Sequence, residues 1–167
     1  MSWIWAALMP HPPIIVPEVG RGRETEATAT LEGVRRLLEN LAAMPEGGRP
    51  EILLILSPHQ PYVAGGLFLN TARELSGDLG RFGASGVSVR LKTADRLDDL
   101  ARHLAAAGLP AASGEVDNLT PDHGSQVPLY FLRQIFSDLP PVIVANPIGL
   151  TPAQALKLGR TLAGFPD

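Results

Sequence analysis

No cysteine occurs among the 167 residues. That excludes disulfides, thiolate zinc sites and a cysteine nucleophile together, and it leaves the redox compartment open. Charge is also scarce: Asp, Glu, Lys and Arg make up 19% of the chain and leave a net −3. Such a balance gives no electrostatic means of capturing nucleic acid or an anionic membrane surface. No apolar run is long enough to span a bilayer. The apolar N-terminus lacks a basic flank and is broken by Pro10, Pro12 and Pro13, so it reads as a strand and not as a signal peptide. The expectation is a soluble, cytoplasmic protein.

What is present is 45% apolar residue content, enough for a packed core in one domain spanning residues 1–167. Sixteen prolines and seventeen glycines punctuate it, clustered at the ends of predicted elements. Residues 3–8, "WIWAAL", are apolar throughout and predict a strand covered on both faces. Residues 24–43 predict a helix, with Leu31, Val34, Leu38 and Leu41 in one stripe and Glu32, Arg35, Arg36 and Glu39 away from it. Residues 51–56 predict a second strand, and strand, helix and strand together predict a parallel βαβ unit. "GGLFLNT" and "GVSVRLK" predict two shorter strands separated by a Gly-rich loop.

A helix is predicted over 95–107 with Gly108 as its C′ residue, then a loop with a short strand. A further helix is predicted over 126–136, capped by Ser125 and with Pro128 in its first turn. A buried strand at 141–146 and a helix at 151–162 close the chain. The fold class is α/β with a mainly parallel or mixed central sheet.

Chemistry concentrates in the histidines. His11 and His59 each follow an apolar run through a proline, in "MPHPP" and "SPHQP". Ligands of open α/β sheets bind beyond the carboxyl ends of strands, so both imidazoles belong over one crevice. Proline-stiffened loops suit metal donors, whose placement tolerates little error. His123, in "PDHGS", stands near a predicted helix N-terminus beside Gly124, which leaves room for close approach. It is the candidate catalytic residue, as a hydrogen-bond partner or proton shuttle. His103 lies near a helix C-terminus and is left outside the site. Taken singly, each of the three is also explained as an ordinary loop or helix-entry residue. Their shared placement in Pro- and Gly-constrained loops points to a common site.

"LMPHPPIIVPEVGRG", "ILLILSPHQP" and "DHGSQVPLYFL", in that order, resemble the class III extradiol dioxygenases of LigB type. The likeness is strongest to the AmmeMemoRadiSam-associated and Memo-like domain, which "GRFGASGVSVRLKTA" and "GLTPAQALKLGRTLA" also fit. The resemblance implies a three-layer α/β/α domain in which His11 and His59 bind non-haem Fe(II) and His123 lies in the substrate pocket. It implies O2-dependent cleavage of a catechol-type ring, beside a hydroxylated carbon of a small aromatic diol.

The family pattern continues past Asp167, with a Ser-His element and a glutamate that completes a two-histidine, one-carboxylate triad. Neither has a match here, so the resemblance implies a C-terminally shortened domain. Glu18, in the loop that follows His11, is the best local candidate for the third metal ligand, with Asp122 or a partner chain as the alternative sources of a carboxylate. Shortening also predicts a homo-oligomer, or a partner that supplies the missing C-terminal half. Two competing readings stand beside the dioxygenase: a degenerate member that binds a ligand or protein, and a Zn-dependent hydrolase at the same histidines.

Overall fold

A computed structural model describes residues 3–120 and 122–165. Its strands are β1 (Leu53–Leu56), β2 (Leu67–Asn70), β3 (Glu74–Leu79), β4 (Ala84–Lys92), β5 (Ala111–Gly114) and β6 (Val142–Asn146). Its helices are α1 (Pro17–Gly20), α2 (Thr28–Ala42), α3 (Leu97–Ala106), α4 (His123–Leu132) and α5 (Pro152–Ala163). The central sheet has the order β1-β6-β2-β5. β6 runs parallel to β1 and antiparallel to β2, and β5 runs parallel to β2, so the sheet is mixed. β3 and β4 form a separate antiparallel hairpin, joined to the sheet where Thr93 lies beside Val142.

Both faces of the sheet are covered, which is why β6 is apolar at four consecutive positions. Val142 and Val144 point into one layer with Val34, Leu38 and Leu41 of α2 and Val127 and Leu129 of α4. Ile143 and Ala145 point into the other, with Leu97, Leu100 and Leu104 of α3 and Leu158 of α5. This is the three-layer α/β/α arrangement. The apolar stripe docks α2; the ion pairs of Arg35 with Glu32 and Glu39 on its outer face are exposed and screened by solvent, so they add little to stability. At the end of α3, Gly108 takes φ +65° and donates to Ala105 O, as its expected C′ role requires. Thr151 and Gln154 cap α5 reciprocally. Among the described residues no helix is long and apolar enough to cross a membrane.

Three local expectations need correction. Residues 3–8 form no strand, so the βαβ unit expected over residues 3–56 is absent. Side chains anchor the segment instead: the Trp3 indole donates to Leu162 O and the Trp5 indole to Gly48 O, each at 2.6 Å. Trp3, Ile4 and Leu8 remain exposed. Gly48 lies just before β1 and His11 meets His59 just after it, so the segment follows β1 without joining its ladder. An apolar run specifies contact with a core but not backbone pairing.

β3 has no counterpart among the expected elements. Its inward residues Leu75 and Leu79 flank Gly77, where a Cβ would stand 2.6 Å from Leu119 C and Thr120 N. Glycine weakens the period-two signal there and lets another segment cross closely. Finally, Asp122 and not Ser125 caps α4: its side chain accepts the Ser125 N–H at 3.0 Å. The helix starts at His123 and ends at Leu132, which puts Pro128 in the second turn.

Candidate metal centre

β1 and β6 are parallel, so their carboxyl ends share one edge of the sheet. His59 lies just beyond β1, His11 precedes the turn at Pro13–Ile15, and His123 is the first residue of α4. The structure brings all three together: one ring nitrogen from each lies within 4.8 Å of the others. Ring centroids are 5.3 Å apart for His11 and His59, 5.7 Å for His11 and His123, and 4.0 Å for His59 and His123. His59 is exposed and the other two are half-buried. His103 stands outside, with Nε2 2.9 Å from Thr161 O.

The loop that carries His11 is fixed from its far side. Ile15 and Val16 are buried in the core, Pro13 opens a 3-10 turn and Pro17 opens α1. Arg21 then takes the left-handed conformation at φ 53° and donates from its guanidinium to Gly83 O at 3.0 Å. Next to Gly83, Phe82 presents itself edge-on to His123, with centroids 5.4 Å apart.

His59 and His123 are tied to each other through a buried polar network. Asp122, 1% exposed, takes Ser57 Oγ at 2.5 Å and Ser125 N at 3.0 Å on one carboxylate oxygen. The other oxygen takes Gln60 Nε2 at 2.6 Å and Ser125 Oγ at 2.7 Å. Ser57 Oγ also accepts the backbone N–H of His59 at 3.2 Å. Asn70 extends the network by donating to Gln60 Oε1 at 3.0 Å, and Asn146 donates to Gln60 O at 2.6 Å. Gly124 is required by this closeness, since a Cβ there would lie 2.5 Å from Ser57 Oγ and 2.9 Å from the His59 ring.

Of these supporting residues, sequence reasoning singles out Gly124 as giving room and Ser125 as a helix cap. A signal existed for the asparagines: Asn70 and Asn146 each end an otherwise apolar strand, a place where a buried polar group needs a reason. Ser57 and Gln60 flank His59 directly. Phe82 carried no signal, because its neighbour His123 is distant in sequence.

Glu18 does not join the histidines; it lines a surface groove of about 340 Å3 together with Tyr130 and Arg133 instead. α1 turns it toward α4 and away from the strand ends. Burial, with a smaller contribution from Glu18, pushes the Tyr130 phenol up to about 12. A second groove, about 620 Å3 between α2 and α4, also lies away from the histidines. Among the described residues the donor set is therefore three imidazoles without a carboxylate. Neutral nitrogen donors of this kind fit a divalent transition ion such as iron or zinc, and not calcium or magnesium.

Three imidazoles that meet beyond the strand ends of a three-layer α/β/α fold define an α/β protein with a candidate transition-metal centre. Residues 5–166 match the family model described as the catalytic LigB subunit of aromatic ring-opening dioxygenase, and the chain belongs to that family. It is also similar to Protein CA_C1420 of Clostridium acetobutylicum, with 34% identity over 143 residues. That match covers 78% of this chain and 29% of the relative, so the chain spans less than a third of that protein's length.

Two outcomes follow from this geometry. Asp122→Asn turns a donor toward donors, and leaving buried groups unpaired costs about 2–4 kcal/mol. Gly124→Ala forces Ser57 and His59 apart. Denaturant unfolding is expected to show a lower midpoint for both, and an unchanged midpoint in Asp122→Asn would remove the network from the account. The second outcome concerns Tyr130 in a Tyr62→Phe chain, where it is the sole remaining tyrosine. Its phenolate absorbance is expected to rise with a midpoint near 12, and Glu18→Gln should lower that midpoint only in part. Below about pH 10 the phenol is protonated in both folded and unfolded chains; above it the unfolded chain ionises first, so stability falls as pH rises from there toward 12.

Proposed function

We propose that this chain carries the metal site of an extradiol-type, ring-opening dioxygenase, with His11 and His59 as metal ligands and His123 facing the substrate. The observation behind this reading is the meeting of three imidazole donors within 4.8 Å in a chain that matches the LigB family over residues 5–166. Fe(II) is the favoured metal; when bound it supplies the redox chemistry by which O2 reacts with an aromatic diol and opens the ring. The chain's residues bind and orient. His11 and His59 hold the ion, and Ser57 and Asp122 fix the turn that carries His59. His123 can exchange a hydrogen bond or a proton with a substrate hydroxyl, and Phe82 beside it offers an apolar wall for a ring. Membership of the AmmeMemoRadiSam-associated and Memo-like group is part of the same proposal.

The nitrogen-only donor set favours a second reading, Zn2+ with a hydrolytic role, because three imidazoles and a water make a catalytic zinc site. Anaerobic reconstitution separates the two. The first reading expects about one equivalent of Fe(II), then O2 uptake and ring opening with catechol, both lost in His11→Ala and His59→Ala. Retained zinc with ester hydrolysis and no O2 uptake would establish the second. A chain that binds neither metal would be a binding module only.

A protein partner along β1 belongs to this proposal. β1 pairs with β6 on one side only, through the N–H groups of Leu53 and Ser57. Leu54 and Leu56 therefore turn their N–H groups outward, and Leu56 is 45% exposed. The N-terminal segment passes this edge without pairing with it, so the edge can still accept another strand. Light scattering is expected to give a dimer or larger species that Leu56→Lys dissociates. A strictly monomeric chain at high micromolar concentration would sink this part.

A further inference from the structure

We infer that Phe82 selects a planar aromatic ring at the histidine site and that Arg21 is the positioning residue that holds Phe82 there. The inference rests on the metal site proposed above and concerns which ligands that site prefers. Phe82 closes the 3-10 turn Gly80–Phe82 between β3 and β4, and it is 37% exposed. A large apolar side chain at a hairpin tip would gain by turning into the core. This one meets His123 instead, with centroids 5.4 Å apart and planes at 76°. Two aromatic planes nearly at right angles make a corner. A flat ring that stacks on either one meets the other edge-on, and both arrangements are favoured aromatic contacts. An aliphatic ligand with the same oxygens finds only apolar surface there.

Hydrogen bonds hold the turn at both ends. Gly80 N donates to Asp78 Oδ1 at 2.7 Å, and Gly83 N donates to Gly80 O at 2.9 Å. A further bond comes from a distant part of the chain. The Arg21 guanidinium donates to Gly83 O at 3.0 Å and ties the turn to the loop that carries His11. Arg21 takes φ 53°, the one positive φ outside glycine among the described residues. Left-handed backbone is unfavourable for a residue with a Cβ, and glycine would fit position 21 without strain. The bond to Gly83 is the reason for an arginine there. Both Arg21 and Phe82 lie outside the donor set, so they act on the ligand and not on the ion.

The test loads the full chain with Zn(II), which has no redox chemistry with O2, and titrates it with catechol and with acetohydroxamate. Both offer two oxygens to a metal, and only catechol carries an aromatic ring. Zn(II) affinity is expected to be the same in wild type, Phe82→Leu, Phe82→Tyr and Arg21→Gly. Catechol affinity is expected to fall about tenfold in Phe82→Leu and to be kept in Phe82→Tyr. It should fall severalfold in Arg21→Gly, which accepts φ 53° and loses only the side chain. Acetohydroxamate affinity should be unchanged in all three, a result that general loosening of the site would not give. Unchanged catechol affinity in Phe82→Leu, or an equal fall for both ligands, would overturn the inference while the metal site stands. Unchanged catechol affinity in Arg21→Gly would overturn the role of Arg21. A wild-type chain that binds no Zn(II), or binds it and not catechol, would overturn the reading on which the inference rests.

Discussion

Asp122 accepts four hydrogen bonds where it is almost wholly removed from solvent, and every donor comes from a segment that carries or flanks a histidine. Burying a carboxylate costs several kcal/mol unless its lone pairs are filled, so the arrangement tolerates little rearrangement. Ser57 and Gln60 must come from the turn after β1, and Ser125 from the first turn of α4. Once these partners are fixed, the backbones of His59 and His123 are fixed as well. Gly124 is the steric corollary, because a side chain would occupy the space that the serine and the imidazole share.

Beneath the histidines the molecule is therefore tightly determined, while above them it is open. Ser57, Asp122 and Ser125 are buried, whereas His59 is exposed and His11 and His123 are half-buried. Rigid polar packing below and accessible donors above let an ion or a substrate reach the site without disturbing the core. The grooves beside α2 and Glu18 belong to other parts of the surface.

Much of this was legible in the sequence, and the rest was hidden for identifiable reasons. The stripe Leu31, Val34, Leu38 and Leu41 marked α2, and the apolar runs marked β1 and β6, because periodicity reports which face meets a core. Pro-His at the end of one real strand, and in a loop beside it, pointed to His59 and His11 together. The same apolar signal failed for residues 3–8, where the indoles and not the backbone make the attachments. Gly77 hid β3 by serving a close crossing instead of packing a side chain. Glu18 was near His11 in sequence but is turned toward Tyr130 by α1, a rotation that neighbourhood along the chain does not encode. The links from Asp122 to Ser57 and Gln60 join distant segments, so no local pattern announced them.

His11, His59 and His123 lie far apart along the chain and meet only after β1, β6 and α4 have assembled. An unfolded chain offers an ion three isolated imidazoles; the folded one offers them together. Any ion held by the set closes two long loops at once and draws the equilibrium toward the native state by mass action. Metal supply would then govern not only what this fold can do but how long each copy of it persists.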